Sequence, residues 1–301
     1  MSIKTLDELF ELAKQKPTRR LVVAFGQDKH TIHAVKEAIM NKLVQVTLVG
    51  NENVIIEECG KLDIDPKIFE IVNEPDEWKA GKKAVYLINE GKGDILMKGL
   101  ISTDKYLRCI LDKKEGLMIP KATLTHITLV EAPAYDKLMV ASDCAFIPQP
   151  DINQKIAMTQ YVIDTARELH IDKPKVALIS FTEKANPKVA STVDAAVIAK
   201  MGDRGQLKNA KIDGPLALDV AVDPESVKIK KLNSCVEGKA DCLVFPNLEA
   251  GNVFYKTLTK LAGATMATYV AGSRVPAILP SRGDNEKSKL YSIALCCLLV
   301  K

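Results

Sequence analysis

The sequence predicts an α/β protein, and three observations carry that prediction. Short, β-rich apolar runs alternate with amphipathic helical patterns from one end of the chain to the other. Several of these runs end in a glycine or polar turn that leads straight into a helical pattern. The first two, LVVAFG and VQVTLVG, bracket a helix, and such a βαβ unit calls for parallel strands. With 301 residues, the chain has the length of two ordinary domains.

The elements follow in order. The opening MSIKTLDELFELAKQKPTRR reads as an amphipathic helix carrying Leu6, Leu9, Phe10 and Ala13. Residues 21–26 form a strand, Asp28 caps a helix with Ile32, Val35, Ile39 and Met40 inward, and residues 44–50 form the next strand. A helix over 51–59, a strand approach over 65–70 and a helix over 76–90 come next. Residues 93–103 run as a strand into a polar turn before a helix bearing Tyr106, Leu107, Ile110 and Leu111. Strands are expected over 124–130 and 137–141. Pro148 and Pro150 then punctuate the chain, and a helix starts near Asp151. A helix over 154–169, a strand over 175–181, a helix over 189–201 and a strand segment over 213–222 continue the alternation.

The stretch ADCLVFPNLEAGNVFYKTLTK then gives a strand over 242–245, stopped by Pro246 and Asn247. Gly251 and Asn252 stand just before a helical pattern of Val253, Tyr255, Leu258 and Leu261. Residues 274–280 form the last strand segment. The final helix over 286–300 has Leu290, Ile293, Ala294, Cys297 and Leu298 on its apolar side. The domains are expected as 1–147 plus 281–301, and 148–280.

Composition excludes several function classes. Hydrophobic residues make up 47% and charged residues 27%, which suits a globular protein with a full core. A net charge of +4, spread evenly, gives no nucleic-acid or membrane surface, and 5% aromatic residues provide no base-stacking platform. The start lacks a signal peptide's apolar core, and the apolar run at 293–300 is too short to span a bilayer. The expected location is cytoplasmic. The seven cysteines form no CxxC pair and mostly read as small buried hydrophobes. His30 and His33 lie three apart on one helix without a third ligand, so no metal site is expected.

Four strand-to-helix junctions combine a glycine turn with cationic or polar groups. They are Lys98-Gly99 with Ser102, Thr103 and Arg108; Asp213-Gly214-Pro215 with Asp219; Gly251-Asn252 with Lys256; and Ser281-Arg282-Gly283, followed by Asp284 or Asn285 as a cap. Cations and bare amides at helix starts suit ligands that carry phosphate. None of the four has nucleotide P-loop spacing, and no Rossmann fingerprint or nucleophile elbow occurs.

GPLALDVAV, GKADCLVFPNLEAGNVFYK, ASDCAFIPQPDINQKIAMTQYVIDTA and the later SRG together resemble the phosphate acetyl/butyryltransferase family, collinearly over nearly the whole chain. LMKGLISTDKYLRCIL and SRGDNEKSKLYSIAL are most similar to its butyryltransferase branch. The resemblance implies a two-domain fold like that of the isocitrate and isopropylmalate dehydrogenases, with the site in an interdomain cleft. It implies a homodimer or higher homo-oligomer, no cofactor, and acyl-CoA and inorganic phosphate as substrates. Butyryl-CoA is favoured over acetyl-CoA.

By the same resemblance, Ser281 hydrogen-bonds the CoA sulfur or the carbonyl oxygen. Arg282 neutralises phosphate and the developing oxyanion, and Gly283 joins the residues that bind phosphate or CoA. Arg108 contacts phosphate or CoA, while Lys98, Gly99, Thr103, Gly251, Asn252 and Lys256 line the substrate site. The acetyltransferase branch carries an aspartate seven residues after the serine, where this chain has Ser288. Asp284 and Glu286 are the nearby carboxylates that could take the thiol proton. Rival readings are a CoA-binding protein without activity and a dehydrogenase of the same fold; the second needs a cluster of metal-binding aspartates that the sequence does not show.

Overall fold

A computed structural model of the chain describes residues 2–280 and 285–300. The elements are α1 (Leu6–Ala13), β1 (Arg19–Ala24), α2 (Lys29–Met40), β2 (Val44–Gly50), α3 (Glu52–Lys61), β3 (Glu70–Asn73), α4 (Glu77–Asn89), β4 (Ile95–Lys98) and α5 (Thr103–Leu111). Next come β5 (Thr125–Glu131), β6 (Met139–Ser142), α6 (Ile152–Glu168), β7 (Lys175–Ile179), α7 (Ala190–Asp203), β8 (Lys211–Leu216), α8 (Leu218–Val222) and α9 (Pro224–Ile229). The chain closes with β9 (Cys242–Val244), α10 (Leu248–Leu261), β10 (Thr265–Ala271), β11 (Ala277–Ile278) and α11 (Glu286–Leu299). Two compact units emerge, Leu6–Leu124 with Ala267–Lys301, and Met1–Thr5 with Thr125–Met266. The proline punctuation at 148 suggests a later division; the observed one falls earlier, since β5 pairs with β6, β6 with β9, and β9 with β7.

In the first unit the strands run in the order β3-β2-β1-β4-β11-β10. All neighbours are parallel except β10 and β11, which meet antiparallel at Val270 and Ala277. β1 lies between two strands with helices over it, so Leu21, Val22, Val23 and Ala24 are all buried and read as one apolar run. Asp28 caps α2, its carboxylate accepting the Thr31 amide at 3.0 Å. α11 packs against α1 and α2 and is buried from Tyr291 to Leu298 without interruption, so it has no solvent face there. A single apolar side was therefore too narrow a reading of this helix.

In the second unit the order is β5-β6-β9-β7-β8. β5 and β6 are antiparallel and the other pairs parallel. Strand pairing within each unit is therefore mixed rather than purely parallel. The segments joining β5 to β6 and β10 to β11 are too short for a crossover, so each pair must turn back on itself. The core here gathers Val130, Met139, Ile179, Leu216, Leu243 and Phe245.

Four local readings change. The expected strand over 213–222 splits into β8 and α8, because a buried apolar run fits a strand or a buried helix equally well. β10 and the capped α9 join the pattern without having been expected. Gly251 and Asn252 sit inside α10, which begins at Leu248 with Asn247 as its cap; the Asn247 side chain accepts the Ala250 amide at 3.0 Å. Consequently the buried face of α10 follows Gly251, Tyr255 and Leu258, an i, i+4, i+7 stripe, and Val253 on the other side is 64% exposed. Met40 and Leu261, the last residues of α2 and α10, are likewise exposed.

Candidate functional site

In the first unit, β1, β4 and β11 are adjacent and parallel, so their carboxyl ends open on the same edge of the sheet. That edge is where α/β proteins place ligands. Each strand there leads into a loop: Phe25-Gly26-Gln27 after β1, Gly99-Leu100-Ile101 after β4, and Leu279-Pro280 after β11. The first two loops are tied together, the Gly99 amide donating to Ala24 O at 2.9 Å and the Leu100 amide to Phe25 O at 2.8 Å. A side chain at Gly99 would bring a Cβ to 2.5 Å from the Phe25 carbonyl oxygen, so only glycine lets the loops approach this closely. The opening is a cavity of about 430 Å3 whose walls include Asp28, His30, Glu58, Lys98, Pro280 and Lys289.

Lys98 is only 6% exposed and donates from Nζ to Gly99 O at 3.2 Å. Lys289, in the first turns of α11, is 8% exposed. Sequence reasoning missed it, although it stands four positions before Ile293 on the apolar stripe of the last helix. A cation at such a position is the signal that could have found it.

The start of α5 is held by α4. Glu77 accepts the Ser102 amide at 2.6 Å and pairs with Lys105, and these two contacts, Lys105 first, hold its carboxyl below the usual range. Tyr106 is buried beneath, its hydroxyl donating to Leu96 O and Ile278 O at 3.2 Å each, which ties α5 to β4 and β11. Thr103, the first residue of α5, is exposed. Arg108 is turned to solvent and pairs with Asp104 at 3.1 Å, both side chains being more than two-thirds exposed. The structure thus brings Lys98 and Gly99 into the cavity wall, whereas Thr103 and Arg108 lie outside that wall on the same helix-turn segment.

In the second unit, Gly251 and Asn252 dock α10 on the loop after β6. A Cβ on Gly251 would overlap the Asp143 carbonyl oxygen, and Asn252 Nδ2 donates to Cys144 O at 3.1 Å. Asp143 anchors that loop from within. Its carboxylate accepts from Thr125 Oγ1 at 2.8 Å and from the amides of His126, Ala145 and Phe146 at 2.7–2.9 Å. Lys256, one turn further along α10, is exposed with Nζ 5.4 Å from the centroid of the Tyr255 ring. Ser281, Arg282, Gly283 and Asp284 lie outside the described residues.

All seven thiols are pushed above their ordinary pKa, burial being the first cause in each. Cys144, next to the Asp143 carboxylate, is among the most strongly raised. None is therefore primed as a thiolate nucleophile near neutral pH. His30 and His33 both face Glu286, at 3.5 and 3.0 Å. Among the described residues, no three His, Cys, Asp or Glu side chains are placed to hold a metal ion, and no helix is long and apolar enough to cross a membrane.

Comparison with known proteins covers nearly the whole chain. It is 40% identical over 297 residues to a phosphate butyryltransferase of Clostridium acetobutylicum, spanning 99% of this chain and 98% of that one. It is 38% identical over 290 residues to a phosphate acetyltransferase of Thermotoga maritima, spanning 96% and 98%. Among solved structures, a branched-chain phosphotransacylase from Enterococcus faecalis V583 superposes with a TM-score of 0.82 at 30% identity, covering 94% of this chain and all of that one. The family model described as Phosphate acetyl/butaryl transferase matches residues 4–82 and 77–297. With the model and these relatives agreeing along the length of the fold, the chain belongs to the Phosphate acetyl/butaryl transferase family.

Proposed function

We propose that the protein transfers a short-chain acyl group between coenzyme A and inorganic phosphate: butyryl-CoA + phosphate ⇌ butyryl phosphate + CoA. The observation that carries this reading is the 40% identity to a phosphate butyryltransferase across 99% of this chain. A phosphate oxygen attacks the thioester carbonyl, the carbon–oxygen bond forms, the tetrahedral oxyanion collapses, and the carbon–sulfur bond breaks to release CoA thiolate. The thiolate, with a pKa of about 8.5, leaves readily and collects its proton afterwards. The thioester already carries an activated acyl group, so the reaction needs no cofactor beyond its substrates.

Two anionic reactants must be held side by side, and the chemistry is managed by positioning and electrostatics in a ternary complex. Arg282 neutralises phosphate and the oxyanion in a bidentate fork, Ser281 hydrogen-bonds the sulfur or carbonyl oxygen, and Gly283 belongs to the phosphate- and CoA-binding residues. In the reverse direction, where CoA thiol attacks butyryl phosphate, Asp284 or Glu286 takes the thiol proton. Lys98, Gly99, Thr103, Arg108, Gly251, Asn252 and Lys256 belong to the substrate-binding surface of this proposal. The raised thiols speak against an acyl-cysteine intermediate. The two-domain dehydrogenase-like organisation with an interdomain cleft, assembly as a homodimer or larger homo-oligomer, and a cytoplasmic location complete the reading.

The test is thiol release from butyryl-CoA with and without phosphate. Release should depend on phosphate, and its indifference to phosphate would end the proposal. A second reading, acetyl transfer, is favoured by the 38% identity to the Thermotoga maritima phosphate acetyltransferase. The same assay with acetyl-CoA separates the two by kcat/KM, where one methylene is worth about 1–3 kcal/mol.

A further inference from the structure

The cavity at the ends of β1, β4 and β11 has two buried lysines in its wall, Lys98 and Lys289. Taking an ammonium out of water is unfavourable unless hydrogen bonds or an anion replace the lost hydration. Lys98 has Gly99 O as one acceptor. Lys289 differs: among the described residues none makes an ion pair or hydrogen bond with its Nζ, although the residue is more than nine-tenths buried.

The carboxylates of the same cavity are engaged elsewhere. Asp28 accepts the Thr31 amide as the cap of α2, and Glu58 holds Lys61 at 2.7 Å. Among the described residues of its wall, three lysines (Lys29, Lys98 and Lys289) face two carboxylates (Asp28 and Glu58), a cationic surplus. The first turn of α2, whose Lys29 and His30 also line it, adds the positive end of a helix dipole. A volume of about 430 Å3 lies in the range of small-molecule sites.

We infer that this cavity binds a phosphate group, with Lys289 as a binding residue beside Lys98. The inference rests on the proposed acyl transfer in taking the group to be the phosphate co-substrate; a phosphate of CoA presents the same chemistry. Lys289 sits on α11, held in place by a helix buried almost throughout, so its ammonium is positioned by packing rather than by a flexible loop.

The experiment is a thermal-shift titration at constant ionic strength of the wild-type protein, Lys289→Met and Lys289→Arg, with inorganic phosphate in one arm and CoA in the other. Methionine keeps the length and packing of the side chain without its charge. Phosphate is expected to raise the wild-type midpoint. The concentration giving half the effect should rise about tenfold or more in Lys289→Met, as loss of a charge-assisted contact implies, and recover in Lys289→Arg. A change confined to the CoA arm supports the cavity as a phosphate site and identifies CoA as the source. Equal responses of wild type and Lys289→Met in both arms, or no response of the wild type to either ligand, overturn the inference. Lys98→Met, read the same way, serves if Lys289→Met does not fold. Binding is measured without turnover, so lysine-dependent phosphate binding in a protein lacking acyl transfer would sink the proposed reaction alone. Phosphate-dependent turnover with binding indifferent to Lys289 would sink this inference alone.

Discussion

Lys98 and Arg108 flank one strand-to-helix junction yet meet opposite environments. Lys98 closes a strand whose residues are all buried, and its ammonium has to find partners inside the protein. Arg108 rides the outer face of α5 against Asp104, an exposed i, i+4 pair of the kind worth only about 0.3–0.5 kcal/mol. Any loss of activity on replacing Arg108 would thus report contact with substrate rather than loss of fold. Arg282 is the residue on which the proposed chemistry leans most. Arg282→Ala is expected to lower kcat by about 10²-fold or more, as removing an oxyanion stabiliser does, with the circular dichroism spectrum and melting midpoint unchanged. Turnover close to wild type would move the chemistry to other residues. Which glycines and cations cluster at strand ends was legible from spacing. That Lys289 joins Lys98 was not, because the two lie in distant segments brought together only when β4 and β11 pair.

At the scale of elements, α10 shows how one residue fixes a docking angle. Gly251 places the helix backbone against Asp143, and Asn252 reaches the next carbonyl. Gly251→Ala would gain roughly 1 kcal/mol of helix propensity. It would also push a methyl into a backbone oxygen that the four hydrogen bonds to the Asp143 carboxylate keep from moving. Overpacking of this kind costs about 1–3 kcal/mol, so the clash is expected to win and the urea midpoint to fall. A midpoint that stays or rises would show that α10 shifts freely on the loop. The existence of this helix was legible in its sequence. Its phase was not: Val253 and Leu261 look as apolar as Tyr255 and Leu258, and only the packed loop 143–144 decides which stripe turns inward. The same ambiguity split residues 213–222 into β8 and α8.

Across the whole molecule, burial sets the response to alkali. The seven thiols, together with Tyr106, Tyr135 and Tyr291, have their pKa raised in the folded state, with desolvation as the first cause. For a group so raised, the stabilisation is complete below the unfolded pKa and is lost as pH climbs toward the folded one. Thiols in the unfolded chain ionise near pH 8.5, so stability should decline from about there upward, by on the order of 1.4 kcal/mol per pH unit for each fully buried thiol. Urea midpoints at pH 7.5 and 9.5, measured with reductant present, check this; a midpoint that holds or rises at pH 9.5 would contradict it. The acid side runs the other way. Asp94 and Glu77 are lowered chiefly by Arg20 and Lys105, and their support persists above the ordinary carboxylate range and fades as pH falls below it.

The sequence by itself determined the α/β class, the capped helices and the family, because periodicity, turn chemistry and collinear motifs are properties of neighbouring residues. Only the tertiary structure decided that strand pairing is mixed in each unit, that α11 has no solvent face over most of its length, and that Gly251 and Asn252 serve docking from inside a helix. It also decided that two lysines from separate segments are buried around one cavity. The physical reason is common to all of these. Strand direction, helix phase and the fate of a buried charge depend on what lies across the gap, and that neighbour comes from elsewhere in the chain.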